Sequence, residues 1–179
     1  MDQVVREFGR IDILVNDAAY NTWIPFRELQ DLGLEDWTKI LRVNLTGPFV
    51  CSKAVAPIMR RQGQGRIINV TSIAGLNPMG SSIAYAVSKA ALIHLTRCLA
   101  VALAPEVLVN SVAPGFMEGT RMSENLAPEY QQKARQGALL QQAADKDDVA
   151  ESVLKPEHAL IRRGLDGVQF RMVSQGDLC

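Results

Sequence analysis

The sequence predicts an α/β protein, a doubly wound parallel sheet flanked by helices. Three observations carry that expectation. Short runs rich in Ile, Val and Leu recur at residues 11–16, 66–72 and 106–114. Long helical patterns separate them, and each run ends in small or polar residues. Near-continuous apolar runs of this length suit strands covered on both faces. The β-α-β-α-β alternation argues for crossover connections. In such sheets ligands bind beyond the carboxyl ends of the strands.

The elements follow in order. "IDILVN" (11–16) is the first strand, and Asn16 to Ala19 follow it. A helical pattern runs from about Leu34 to Arg61 and contains "VNLTGP", whose Asn, Thr, Gly and Pro are poor residues for a helix interior. Pro48 has no N–H, so it cannot bond the carbonyl of Asn44. That freed carbonyl marks either a packing kink or a place to hold a water. "RIINVTS" (66–72) is the second strand and ends at Thr71 and Ser72, before the loop "IAGLNPMGSS". A second helix is expected over Ser82–Leu103, apolar around most of its circumference, so that one face covers the sheet and the other needs a second cover. "EVLVNSVAP" (106–114) is the third strand, leading to Pro114–Thr120. Asp145, Asp147 and Asp148 read as a helix start, where carboxylates suit the dipole. Beyond residue 150 only "GVQFRMV" reads as a strand, and no linker marks a second domain.

Bulk properties exclude several classes. The chain has 179 residues, enough for one domain with a sizeable core. It is 47% apolar and 21% charged, as an ordinary globular protein is. Nineteen basic residues balance nineteen acidic ones, which gives no support for a nucleic-acid or membrane-surface partner. Cys51, Cys98 and Cys179 form no CxxC pair, so neither a disulfide framework nor a metal site is expected, and a reducing cytoplasm is the simplest setting. The N-terminus carries no apolar signal core. The apolar region at 83–104 is interrupted by Lys89, His94 and Arg97, and is expected to be too polar for a membrane span. His94 and His158 have no partner motif.

The chemistry centres on the second helix. Tyr85 and Lys89 stand at i and i+4, on one face. A free phenol has a pKa of roughly 10, and a nearby cation favours its ionised form. Tyr85 could then exchange a proton with an alcohol or carbonyl oxygen. A Tyr–Lys pair at this spacing is also an ordinary surface pair. Ser72, at a strand end, could hydrogen-bond the same oxygen as its charge changes, or merely turn the chain. Asn44 is the third member, through its freed carbonyl and a proton-conducting water near Lys89.

Five stretches, "ILVNDAA", "VNLTG", "IINVTS", "YAVSK" and "NSVAPG", occur in order over residues 9–150, and together they resemble the short-chain dehydrogenase/reductase family. The resemblance implies a Rossmann-type fold and hydride transfer between NAD or NADP and a carbonyl or secondary alcohol, such as a 3-oxoacyl or sugar compound. It implies a catalytic group of Asn44, Ser72, Tyr85 and Lys89, with Tyr85 as general acid/base and Lys89 lowering its pKa and bonding the nicotinamide ribose. It places Asn16, Ala18, Pro114, Gly115 and Thr120, with Tyr85 and Lys89, beside the cofactor. It also implies a homo-oligomer, dimer or tetramer, and no metal.

Departures accompany the likeness. Asp17 and Ala19 stand where the family has Asn and Gly, adding a carboxylate and a Cβ. No Gly-rich strand-turn-helix for a pyrophosphate precedes "IDILVN", so the sheet is expected to be incomplete, with an apolar edge at 11–16. Residues 1–150 thus read as a partial oxidoreductase domain and 151–179 as a divergent tail. The alternative is an inactive truncated homologue that dimerises with a full-length relative.

Overall fold

The three apolar runs form parallel strands β1 (Ile13–Asn16), β2 (Gly65–Val70) and β3 (Val107–Val112), in a computed structural model that describes residues 1–138 and 142–154. β2 is central; Val15 pairs with Ile68, and Ile68 with Asn110. The second strand ends earlier than expected. The Thr71 amide and hydroxyl both donate to the Val112 carbonyl, at 2.7 and 2.8 Å, and the chain then turns away. That turn carries Ser72 out of the sheet at its carboxyl edge.

The expected helix at 34–61 is three pieces. α2 (Leu34–Leu41) and α3 (Gly47–Gln62) are joined by a wide π-type turn over Arg42–Thr46. Pro48 sits in the first turn of α3, where a missing N–H is tolerated, and the wide turn absorbs the mismatch with the preceding helix. α1 (Asp2–Phe8) precedes β1, and α4 (Ile83–Leu103) connects β2 to β3. Short helices α5 (Arg121–Glu124) and α6 (Pro128–Gln136) follow β3, and α7 (Lys146–Leu154) ends the described chain. α7 begins where its carboxylates suggest: Asp145 accepts from the Asp147 amide at 2.8 Å. The boundary expected at residue 150 falls inside α7. "GVQFRMV" and His158 lie outside the described residues.

α3 and α4 cover one face of the sheet. Val55, Met59, Ala100 and Leu103 pack there against Ile67, Val107 and Val109. α7 reaches the other face, where Val149 meets Ile68 and Val112. The side chains alternate along each strand, so Ile13, Val15 and Leu108 share this second face with Ile68. They keep 49%, 41% and 41% of their surface, so the face expected to be fully covered is half open among the described residues.

The expectation that Lys89, His94 and Arg97 make α4 too polar to span a membrane needs correction. By length and composition alone this 21-residue helix is apolar enough. Here it is a core helix: Ala84, Leu92, Ile93 and Ala100 are buried, and Lys89 is buried with its ammonium bonded.

Candidate active site

A cavity of about 620 Å³ opens beyond the carboxyl ends of the strands. Ser72, Tyr85, Lys89, Pro114, Gly115 and Thr120 all line it. Three separate elements deliver them. Ser72 follows β2; Pro114 to Thr120 follow β3; Tyr85 and Lys89 come from the first two turns of α4.

The start of α4 is fixed by its sequence. Ser82 is extended, fully buried, and accepts from the Tyr85 amide at 3.2 Å. This N-cap ties the helix start to Tyr85. A 3₁₀ turn at Ile73–Gly75 lies against the helix. A Cβ on Gly75 would come within 2.6–2.8 Å of backbone atoms of Lys89 and Ala90, so only glycine lets the loop approach this closely. Gly80 has φ +117°, and its Cβ would press on the Tyr85 ring at 3.2 Å. Both positions hold the Ser72 segment against Tyr85. Neither was among the expected site residues, because the need for glycine arises from a tertiary contact; the two glycines of the loop "IAGLNPMGSS" were the only signal.

The two ionisable groups move in opposite directions. Burial pushes the Tyr85 phenol up to about 12, and its hydrogen bond with Ser72 pulls the other way. Burial pulls the Lys89 ammonium down to about 8, and the Asp17 carboxylate raises it. Lys89 Nζ donates to the Val70 carbonyl at 2.8 Å and lies 5.8 Å from the centre of the Tyr85 ring. The expected depression of the Tyr85 pKa by Lys89 is therefore not seen in this state. Desolvation of the phenol outweighs the cation, which is directed at a backbone oxygen.

Asn44 is fully buried, and its side chain acts as a clamp. Oδ1 accepts from the Tyr20 amide at 2.7 Å; Nδ2 donates to the Tyr20 carbonyl at 2.9 Å and to Ser88 Oγ at 3.0 Å. The sequence pointed to its main-chain carbonyl and gave no hint of this second task, which joins the loop after β1 to α4.

Asn16 and Ala18 do not line the cavity; their neighbours Asp17 and Ala19 do. The Asn16 amide donates to Asn69 Oδ1 at 2.8 Å and to Ser52 Oγ at 3.4 Å, beneath α3. Asn69 in turn donates to Thr96 at 2.9 Å. This buried ladder ties β1, β2 and α4 together and leaves Asn16 a structural task. Thr120 caps α5, its hydroxyl accepting from the Ser123 amide at 3.1 Å. No group of metal-ligating side chains occurs among the described residues.

Comparison with known proteins places this geometry. The model of the short chain dehydrogenase family matches residues 1–131. A 3-oxoacyl-[acyl-carrier-protein] reductase of Synechocystis sp. is 42% identical over 134 residues, covering 72% of this chain and 53% of that protein. The 3-oxoacyl-[acyl-carrier-protein] reductase FabG of Thermotoga maritima is 36% identical over 155 residues, 86% of this chain and 61% of its own length. The chain thus spans about half to three-fifths of these relatives. Among solved structures, NAD+-bound xylitol dehydrogenase superposes with a TM-score of 0.78 at 30% identity, over 89% of this chain and 68% of that one. The NADPH-dependent 3-quinuclidinone reductase of Rhodotorula rubra gives 0.76 at 29%, over 86% and 57%.

Proposed function

The chain belongs to the short chain dehydrogenase family, and from that premise we propose that its cavity is a carbonyl-reducing site in which Tyr85 is the proton donor. The observation that carries this reading is the convergence of Ser72, Tyr85 and Lys89 on one cavity at the sheet's carboxyl edge. A nicotinamide cofactor, NAD or NADP, would in its reduced form supply the hydride to the carbonyl carbon and leave oxidised. The residues present fit its nicotinamide–ribose half. Lys89 offers a buried ammonium, and Pro114, Gly115 and Thr120 line the cavity beside it.

The protein's own task is the proton. With a pKa of about 12 the Tyr85 phenol is protonated at neutral pH. It is therefore ready to give its proton to a carbonyl oxygen as that oxygen gains charge. Ser72 lies beside it to bond the same oxygen, and Asn44 holds the floor between Tyr20 and Ser88. Lys89 would hold the ribose and favour the phenolate left behind. The substrates are carbonyl or secondary-alcohol compounds, 3-oxoacyl groups among them, and the working form is a homo-oligomer.

The test is direct. NADH and NADPH are titrated into the chain, and reduction of a panel of ketones is then followed. Binding of one dinucleotide and turnover that falls at least 100-fold in Tyr85→Phe, a typical size for loss of an acid/base group, are the expected results. A chain that binds neither dinucleotide, or a Phe variant with full turnover, would overturn the proposal.

A further inference from the structure

Both main-chain polar groups of Tyr85 are held by serine side chains. Its amide donates to Ser82 Oγ at 3.2 Å, and its carbonyl accepts from Ser88 Oγ at 2.7 Å. The first bond is a helix cap. The second is not needed to build the helix, in which the Tyr85 carbonyl already belongs to the Lys89 amide. Ser88 is fully buried and does not line the cavity.

A serine hydroxyl has one proton to give. Asn44 decides where it goes. Asn44 Nδ2 donates to Ser88 Oγ at 3.0 Å, so the hydroxyl accepts on that side and turns its own proton to the Tyr85 carbonyl. Hydrogen bonds in such a chain strengthen one another. The rest of the Asn44 amide grips the Tyr20 main chain. One buried relay thus runs from Tyr20 through Asn44 and Ser88 to Tyr85. Ala19, next to Tyr20, and Tyr85 both line the cavity, so the relay joins two parts of its wall.

α4 carries the same device a second time. Asn69 Nδ2 donates to Thr96 Oγ1 at 2.9 Å, and Thr96 Oγ1 donates to the Leu92 carbonyl at 2.8 Å. Neither Thr96 nor Leu92 lines the cavity. This second relay shows what such a device does for the fold alone, and it is a built-in control for the first.

We propose that Ser88 is a positioning residue for Tyr85: it fixes the Tyr85 main chain against the Ala19–Tyr20 segment, so that the phenol meets Ser72 and the substrate oxygen in one place. Back-bonds of this kind bend helices, so the hydroxyl also sets the tilt of the turn that carries Tyr85. The role rests on the reading of Tyr85 as the proton donor, and it adds how that donor is held.

Ser88→Ala, Ser88→Thr and Thr96→Val are compared with the parent in ketone reduction by NADH or NADPH. Ser88→Ala is expected to lower kcat about ten- to a hundredfold, the cost of a small misplacement of a reacting group, with KM for the dinucleotide unchanged. Ser88→Thr keeps the hydroxyl and should restore kcat. Thr96→Val should lose stability to denaturant as Ser88→Ala does, yet keep the parent kcat. A second readout needs no turnover. In chains labelled with fluorotyrosine, with resonances assigned through Tyr20→Phe and Tyr130→Phe, the Tyr85 fluorine signal should shift in Ser88→Ala and stay in place in Thr96→Val. An unchanged kcat or an unmoved signal in Ser88→Ala, a Ser88→Thr chain as slow as Ser88→Ala, an equal loss of kcat in Thr96→Val, or a Ser88→Ala chain that does not fold would each overturn the proposal. If the parent reduces no ketone with either dinucleotide, the redox reading falls, and the Tyr85 fluorine signal alone decides whether Ser88 positions that ring.

Discussion

Tyr85 and Lys89 are shifted by the same cause, burial, with opposite signs, and linkage turns this into a measurable stability profile. The folded-state pKa of Lys89 lies at about 8, below its ordinary 10.5. Between those values the unfolded chain holds the proton that the folded chain has lost, so stability rises with pH. Tyr85 lies at about 12, above its ordinary 10.0. Between those values the folded chain holds the proton, so stability falls with pH. The two contributions together predict greatest stability near pH 10. Denaturant midpoints measured across this range should lose the rising limb in Lys89→Met and the falling limb in Tyr85→Phe. Asp17→Asn removes the carboxylate that raises Lys89 and should move the start of the rise to lower pH. That Ser72, Tyr85 and Lys89 meet at one cavity was legible, because a strand end and an i, i+4 pair on the next helix are both visible in the sequence. The sign of the Tyr85 shift was not. Sequence places a cation one turn away, but only the fold shows that its ammonium is directed at the Val70 carbonyl.

Among the elements, the joints are more informative than the helices. The wide turn at Arg42–Thr46 exists because a proline follows Asn44 at a distance that an α-helix cannot accommodate. It leaves Asn44 fully buried with three hydrogen bonds. Asn44→Ala strands a backbone amide, a backbone carbonyl and a hydroxyl, and should cost about 2–4 kcal/mol in chemical denaturation, as expected for several unsatisfied buried groups. Asn44→Asp keeps the acceptor but loses both donations, so it should rescue little. Gly75→Ala meets backbone, which cannot swing aside as a side chain would. A cost of about 1–3 kcal/mol is expected from overpacking, and the loop's displacement should weaken the Ser72–Tyr85 contact, read as a further rise in the Tyr85 pKa by absorbance titration. Strand and helix periods revealed α4 and all three strands. They could not reveal Gly75 or the Asn44 clamp, because those depend on contacts between segments far apart in the chain.

At the scale of the whole molecule, the sheet is unevenly covered. Two long helices seal one face, whereas α7 reaches only the β2–β3 side of the other. Ile13 and Val15 stand open on β1, which pairs with β2 alone among the described strands. An edge strand with unpaired backbone groups and exposed β-branched side chains is a template for another strand. The sequence showed this strand through the apolar run at 11–16. It did not show which residues would be open, since that follows from the register with Arg66 and Ile68. The chain should therefore self-associate with rising concentration, and the association should run through β1. Val15→Lys places a charge on the open face at a position 41% exposed, so it removes little core packing. Sedimentation velocity should show a lower share of large species for this variant at equal concentration. Val101→Lys, on a surface of α4 that is 67% exposed, is the control. If both variants reduced association equally, net charge and not the β1 edge would be the cause. A fall confined to Val15→Lys would assign the association to the uncovered side of the sheet, leaving the homo-oligomer proposed for the working form to be built on a different surface.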